Sequence, residues 1–293
     1  MLSIAILYAL IGTIGWGLSN AAAKKLVLRF GSVRAIVFRN IIAVAVLISA
    51  VLIIGIPERL SFVSLGFGVL LSAVGYFPFL FFLKGLERGK VGIVYSISSG
   101  WVIVASTIGF LFLEDAFSFS KIAAFGIIML GVIFASIDFR EIRNSDLFSI
   151  QSGAPYALVA ALLWGIVFAF FKFPSQALGG VFFALIVEGM VLLSASVHLL
   201  LTHKKLIEKN DDIKDLASMP WYVILSGFGA GLGTSFINLG YATGQIALVS
   251  AVAASQILIA SLFASRFYGE RLTVKQYTGV IFVLLGVAVA SII

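Results

Sequence analysis

The chain predicts an all-α membrane protein, ten transmembrane helices in two inverted five-helix repeats, and three observations carry that prediction. The first is composition: of 293 residues, 61% are hydrophobic and 11% charged, with a mean hydropathy of +1.15. That leaves too little polar cover for a soluble domain. The second is an internal echo, in which Tyr8 to Lys24 (YALIGTIGWGLSNAAAK) returns 148 residues later as Tyr156 to Lys172 (YALVAALLWGIVFAFFK). The third is that the basic loops change sides between the two copies, as inversion of an odd number of spans demands.

The spans follow in order from a need for about 20 apolar residues each. In the first half the apolar windows are 3–23, 35–55, 63–83, 91–113 and 120–137. In the second they are 155–173, 179–201, 221–241, 246–267 and 274–292. The echo persists downstream, where Gly85, Gly89, Val94, Gly131, Val132 and Ser136 recur 155 residues later as Gly240, Gly244, Val249, Gly286, Val287 and Ser291. The seven-residue difference fits the polar loop after Lys204, since loops absorb insertions that packed spans do not. Residues 1–137 are therefore expected to form one repeat and 155–293 the other. The charged segment DFREIRNSD, Asp138 to Asp146, marks a linker over 138–154 that ends at Pro155. The loop from His203 to Pro220 reads as a short amphipathic surface helix through Leu206, Ile213 and Leu216, or as a plain solvated loop.

Loop charge sets an expected orientation. Lys24, Lys25, Arg29 and Arg34 follow span 1, whereas Lys172 alone follows span 6; Arg59 alone follows span 2, whereas Lys204, Lys205, Lys209 and Lys214 follow span 7. Sixteen Lys and Arg residues fall in odd-numbered loops and three (Arg59, Lys121, Lys172) in the others, with Arg39 inside a span. The positive-inside rule then puts the odd loops in the cytoplasm and both termini outside. The net charge of +7 reflects these loops and does not imply a nucleic-acid partner.

Trp16, Asn20 and Lys24 lie four apart on one face of span 1, and Trp164, Phe168 and Lys172 do the same on span 6. The two stripes are expected to face each other near the midplane, as cavity lining or as interfacial anchors for the tryptophans, with the lysines snorkelling. Arg39 and Glu188 are ionisable groups inside spans 2 and 7. An intramembrane charge must be paired or must serve a solute path. They are expected either to neutralise each other or to divide the work, Arg39 holding a carboxylate and Glu188 carrying a coupling proton. Tyr76, Tyr95, Trp101 and Tyr241, with Ser96, Ser98, Ser99, Asn238, Ser255 and Gln256, supply what a mid-membrane pocket for an amphipathic solute needs. The amides of Asn238 and Gln256 weigh most, because facing lipid would leave their hydrogen bonds unmet. Along Gly227 to Gly233, small residues four apart on two faces invite close helix packing.

Other classes find no support. The chain has no cysteine, no phosphate loop and no metal-ligand cluster, so no cofactor, metal or catalytic site is expected. His198 and His203 read as solvated at the end of span 7. The first span lacks a basic leader and has an internal twin, so it reads as a span and not as a signal peptide.

The Trp-Gly pairs (Trp16, Gly17 and Trp164, Gly165), Arg39 near the start of span 2, and GERLTVKQYTGVIFVLLGVAVA from Gly269 to Ala290 resemble the drug/metabolite transporter superfamily, in its ten-helix EamA-type members. The counterpart of that last stretch is weaker, with Asp115, Phe117 and Ser118 where Glu270, Leu272 and Thr273 stand. The family pattern places a proline in spans 4 and 9, where this chain has Gly100/Trp101 and Ser255/Gln256. The resemblance implies both termini in the cytoplasm, opposite to the charge count.

Function is then expected to be secondary transport, export of small organic metabolites such as amino acids by alternating access. The site residues would be Trp16, Asn20, Arg39, Tyr76, Tyr95, Trp101, Trp164, Asn238 and Gln256 for substrate, with Glu188 for a proton. The alternatives are a multidrug or cationic-drug proton antiporter using Glu188, and a lipid scramblase or non-transporting membrane scaffold. The expected setting is the cell (plasma or inner) membrane. The partners are a small-molecule substrate, the bilayer and protons as coupling ion, in a monomer or a homodimer.

Overall fold

The structure is a computed structural model and describes residues 3–89, 91–113, 118–136, 153–207, 210–267 and 274–292. Most of the expected linker, and Gly269 to Thr273 of the family-like stretch, lie outside the described residues. Within them the helices are α1 (Ile4–Phe30), α2 (Ser32–Ile54), α3 (Phe62–Arg88), α4 (Val91–Ser98), α5 (Trp101–Phe112) and α6 (Phe119–Ser136). The second set is α7 (Ala154–Phe170), α8 (Lys172–Leu178), α9 (Gly180–Leu201), α10 (Asn210–Ser218), α11 (Pro220–Thr243), α12 (Ile246–Ala254), α13 (Gln256–Phe267) and α14 (Val274–Ile292). Among the described residues, seven helices are long and apolar enough to cross a membrane. Helical pairs α4/α5, α7/α8 and α12/α13 each make one line, so ten lines run through the bundle, with α10 as the surface helix of the polar loop. Helices satisfy their own backbone groups, which hydrocarbon cannot. Large side chains such as Leu52, Ile53, Phe62 and Phe119 are exposed on the outside, where a bilayer would cover them.

The connections repeat as the sequence does. Gly31 (φ +79°) joins α1 to α2 and Gly179 (φ +76°) joins α8 to α9, 148 positions apart, each turning the chain in a conformation that only glycine takes cheaply. Spans 4 and 9 break at equivalent positions without proline. Gly100 and Ser255 donate their N–H groups to Ile97 and Val252, three residues back, and the Ser98 and Ser255 hydroxyls bond to Tyr95 and Val252 carbonyls. Tight turns and hydroxyl back-bonding thus make the kinks that proline would otherwise make.

Contacts between the halves are reciprocal. A Cβ on Gly131 of α6 would lie 2.6 Å from the Val283 nitrogen of α14, and one on Gly286 of α14 would lie 2.8 Å from the Ile128 nitrogen of α6. Each residue of one contact is the 155-shifted equivalent of a residue in the other, which is the signature of a two-fold relation and not of a translation. Residues 131 and 128 meet 283 and 286 in opposite order, so α6 and α14 run antiparallel, as inverted copies must.

Two seams related by this pseudo-symmetry differ in closeness. Between α1 and α11, a Cβ on Gly15 would stand 2.6 Å from the Gly233 nitrogen, and Ser19 and Ser226 exchange hydroxyl-to-carbonyl bonds of 2.6 and 3.1 Å. Small residues let the backbones meet. On its two faces α11 uses them twice, since Gly227 and Gly231 pack on Ile42 and Ala43 of α2. The counterpart seam, α3 with α7, is aromatic and looser: a Cβ on Gly75 would find its nearest atom, on Val167, at 3.8 Å.

Candidate substrate-binding site

The looser seam opens into a cavity. Gly75 and Phe79 line it from α3. Trp164, Val167, Phe168 and Phe171 line it from span 6, and Trp16 and Asn20 from α1. Trp101 and Gln256 enter as the first residues of α5 and α13, directly after the two equivalent breaks. Interruption of spans 4 and 9 is therefore what turns these two side chains inward.

One wall is an ion-pair network. Arg39 Nη1 donates to Glu188 Oε2 at 2.9 Å, and both side chains are at most 6% exposed. Asn40 Nδ2 donates to the same oxygen at 2.8 Å and to the Glu188 carbonyl at 3.0 Å. The Thr234 hydroxyl takes Oε1 at 2.5 Å and itself accepts from Trp16 Nε1 at 3.0 Å. Arg39 further donates to Ser19 Oγ (3.1 Å) and Asn40 Oδ1 (2.7 Å), and its guanidinium lies 4.6 Å from the Phe79 ring centre. Every oxygen of the carboxylate thus meets a donor, which is the condition for keeping a charge in a dry interior. Neutralisation is realised here, and both partners still border the cavity.

The other walls are rings and amides. Phe168 stacks on Trp16 at 5.4 Å and on Trp164 at 6.1 Å, and Trp101 meets it edge-on at 4.8 Å. The stripes of spans 1 and 6 therefore touch through Trp16 and Phe168. Asn20 Nδ2 bonds to Gln256 Oε1 at 2.9 Å, closing the space between α1 and α13.

Of the residues expected from sequence, Trp16, Asn20, Arg39, Trp101, Trp164, Gln256 and Glu188 come together here, and Tyr76, Tyr95 and Asn238 do not. Tyr76 lies between Gly75 and Phe79 in sequence but is turned off their face. Its hydroxyl shares a 2.6 Å hydrogen bond with His198 Nδ1, so His198 is part-buried and engaged, contrary to the solvated reading. Tyr95 packs edge-on against Phe82 at 5.0 Å, and Phe82 in turn touches Trp164; it stands one layer behind the wall. Asn238 is one helical turn beyond Thr234, 1% exposed, and its Nδ2 has no partner among the described residues. Tyr241 bonds to Ser250, also away from the cavity.

Sequence reasoning missed Thr234, Asn40, Ser19, Phe79 and Phe171. A polar residue beside an intramembrane charge was a signal for Asn40. The others are ordinary span residues, and only the packing of four helices selects them. The likeness of Ala35 to Asn40 (AIVFRN) and Ala184 to Gly189 (ALIVEG) would make Arg39 and Glu188 equivalents, and the structure corrects that register. Gly31 and Gly179 fix the offset at 148, which makes Asn40 the counterpart of Glu188 and Val187 that of Arg39.

The chain matches the EamA-like transporter family over residues 3–137 and again over 151–292. It belongs to that family. The family is part of the drug/metabolite transporter superfamily, whose members are transporters and not enzymes, so this is a multi-pass membrane transporter of that type. A crystal structure described only as that of a protein matches with a TM-score of 0.74 at 15% identity, covering 99% of this chain and 99% of its own; that likeness is one of fold. No curated protein sequence matches.

Proposed function

We propose that this EamA-like protein is a secondary transporter that exports small organic metabolites, amino acids above all, by alternating access between repeats 1–137 and 155–293 joined by the linker 138–154. The observation that carries the reading is an internal ion pair on the wall of an aromatic cavity at the repeat interface. A zwitterion offers a carboxylate to Arg39 and an ammonium to Glu188, so it can replace the pair without leaving either charge unmatched in a site where an unmatched charge costs several kcal/mol. Trp16, Trp101, Trp164 and Phe168 supply flat apolar surface for the substrate's side chain, and Asn20 and Gln256 supply hydrogen bonds. The contrast between a closed α1–α11 seam and a roomier α3–α7 seam suits a transporter held in one of its two states.

Cationic drugs are the second reading, favoured by the four rings near one carboxylate. They would have to draw Glu188 away from Arg39, Asn40 and Thr234 with nothing offered to Arg39, which makes the zwitterion the better fit. A substrate carboxylate on Arg39 leaves Glu188 to be neutralised by the substrate's ammonium or by a proton, and Glu188 is for that reason the proposed coupling residue. The proposed setting is the cell membrane, with substrate, lipid and protons as partners, in a monomer or a homodimer.

Counterflow of radiolabelled amino acids into proteoliposomes tests this. Wild-type protein is expected to exchange at least one amino acid, and Arg39→Ala to lose exchange. With Glu188→Gln, exchange that survives while uptake driven by a pH gradient is lost assigns the proton to Glu188. Loss of both assigns it the ammonium. Normal behaviour in both assays removes Glu188 from the mechanism, and extrusion of lipophilic cations with no amino-acid exchange would replace the reading altogether.

A further inference from the structure

The two pseudo-equivalent seams end differently, and the difference lies in the one segment that the repeats do not share. At the end of the bundle carrying the α1–α2 turn, α10 crosses from the second repeat and grips that turn. Arg29 donates to Asp215 through Nε at 2.6 Å and through Nη2, and Arg34 Nη1 meets Asp212 at 3.2 Å. Lys25 lies 4.5 Å from the ring centre of Tyr222, in the first turn of α11, and Glu87 of α3 accepts from the Ser32 N–H. The α1–α2 turn is thus clasped from both sides, directly above the tight α1–α11 seam.

At the opposite end the 148- and 155-residue shifts replace Arg29 by Ala177, Arg34 by Phe182, Lys25 by Phe173 and Tyr222 by Phe67. The short loop over 55–61 has no helix. Phe67, Phe170 and Phe173 touch there through their rings, Gln176 donates to the Ala242 carbonyl at 3.3 Å, and the loose, cavity-bearing seam lies beside them.

We propose that α10 is an ionic latch that holds the α1–α11 seam shut and so sets the side on which the transporter rests closed. Inverted repeats of equal sequence would give two end states of equal energy; a strap found, among the described residues, at one end only removes that equality. Arg34 and Asp212 are 18% and 14% exposed and Arg29 and Asp215 51% and 28%, so the first pair is the better shielded and the second the more open to screening by salt. Exposed pairs bias an equilibrium by about fivefold at most each. The latch sets a preference and still lets the seam open.

This inference rests on the alternating-access reading. The chain has no cysteine, which allows single-site labelling of the full protein in proteoliposomes by a small maleimide. Ala22→Cys reports the α1–α11 seam, since Ala22 is 0% exposed and stands three residues along α1 from the seam residue Ser19, on the same helix face, and Val167→Cys reports the cavity. Adding Asp212→Asn with Asp215→Asn is expected to raise the labelling rate at Ala22→Cys several-fold and to lower it at Val167→Cys, because opening one seam closes the other. Exchanging the charges, Arg29→Asp with Asp215→Arg, should return both rates towards those of the parent. No change at Ala22→Cys overturns the latch, and so does a rise at both sites, which would mean a loosened fold. Amino-acid counterflow in the same vesicles separates the two ideas. Exchange without a labelling shift discards the latch and keeps the transport reading; a labelling shift with no solute exchanged keeps the latch and counts against that reading.

Discussion

Cutting the buried ion pair from either side should have unequal effects, and the inequality follows from the donors around it. Glu188→Ala removes the acceptor for Arg39 Nη1, Asn40 Nδ2 and the Thr234 hydroxyl together. It leaves a guanidinium that is 5% exposed as a residue with only Ser19 Oγ and Asn40 Oδ1 to bond. A guanidinium cannot shed its proton, so the full penalty of about 3–5 kcal/mol for an orphaned buried charge applies, towards the upper end. Arg39→Ala leaves the carboxylate with two donors, Asn40 and Thr234, and with the option of taking up a proton, so it should fall near the lower end. The double variant removes both charges and should recover about 2–3 kcal/mol of the summed loss, the upper part of the range for residues sharing one network. Reversible unfolding in mixed micelles, followed by far-ultraviolet circular dichroism, gives all four corners of the cycle. Additivity within about 0.5 kcal/mol, or a larger loss for Arg39→Ala than for Glu188→Ala, would refute the reasoning.

Two further outcomes are expected. Gly15→Ala should destabilise by about 1–3 kcal/mol through overpacking, because its Cβ would sit 2.6 Å from the Gly233 nitrogen, whereas Gly126→Ala, with nothing within 4 Å, should be neutral or gain about 0.5–1 kcal/mol from helix propensity; thermal shifts of the detergent-solubilised variants measure both. Single cysteines at Ser145 and Ser61 should label from opposite sides of the membrane with an impermeant maleimide, Ser61 from outside if odd loops are cytoplasmic, and labelling of Ser145 from outside would reverse the orientation read from loop charge.

Much of the fold was legible because two periodic signals are redundant. Each span is long and apolar, and each recurs, so Trp16 and Trp164, or Gly131 and Gly286, could be matched before any contact was known. Span ends were less legible: α1 runs to Phe30, past Lys24 and Lys25, because basic side chains do not end a helix. The breaks after Ser98 and Ala254 left no proline to read, only Gly100 and the serines that turn the backbone. Within the site, Trp16, Asn20, Arg39 and Glu188 were legible as residues too polar or too large to waste on lipid. Tyr76, Tyr95 and Asn238 met that same criterion and face elsewhere; for Tyr76 the reason is that His198 on another helix satisfies its hydroxyl as well as a cavity would. Thr234 and Phe79 carried no such signal; their roles come from Glu188 and Arg39, on other helices.

The register of the echo explains why the ion pair stands where it does. An offset of 148 makes Asn40 and Glu188 equivalent, and the two touch, through Asn40 Nδ2 and the Glu188 carboxylate at 2.8 Å. A residue that contacts its own equivalent sits on the pseudo-two-fold axis. Two identical carboxylates at such a point would repel in a medium that screens little, so an acidic residue is tolerable on the axis only if the copies diverge, and here Asn took one place and Arg39 became the neighbour. A contact on the axis is also the one contact that an exchange of conformations between the repeats leaves in place. The α1–α11 and α3–α7 seams would trade roles around it, while Arg39 and Glu188 would face the cavity in both states. A substrate held by that pair, as proposed, would therefore meet the same charges from either side of the membrane, which is what a site at a repeat interface requires of a carrier.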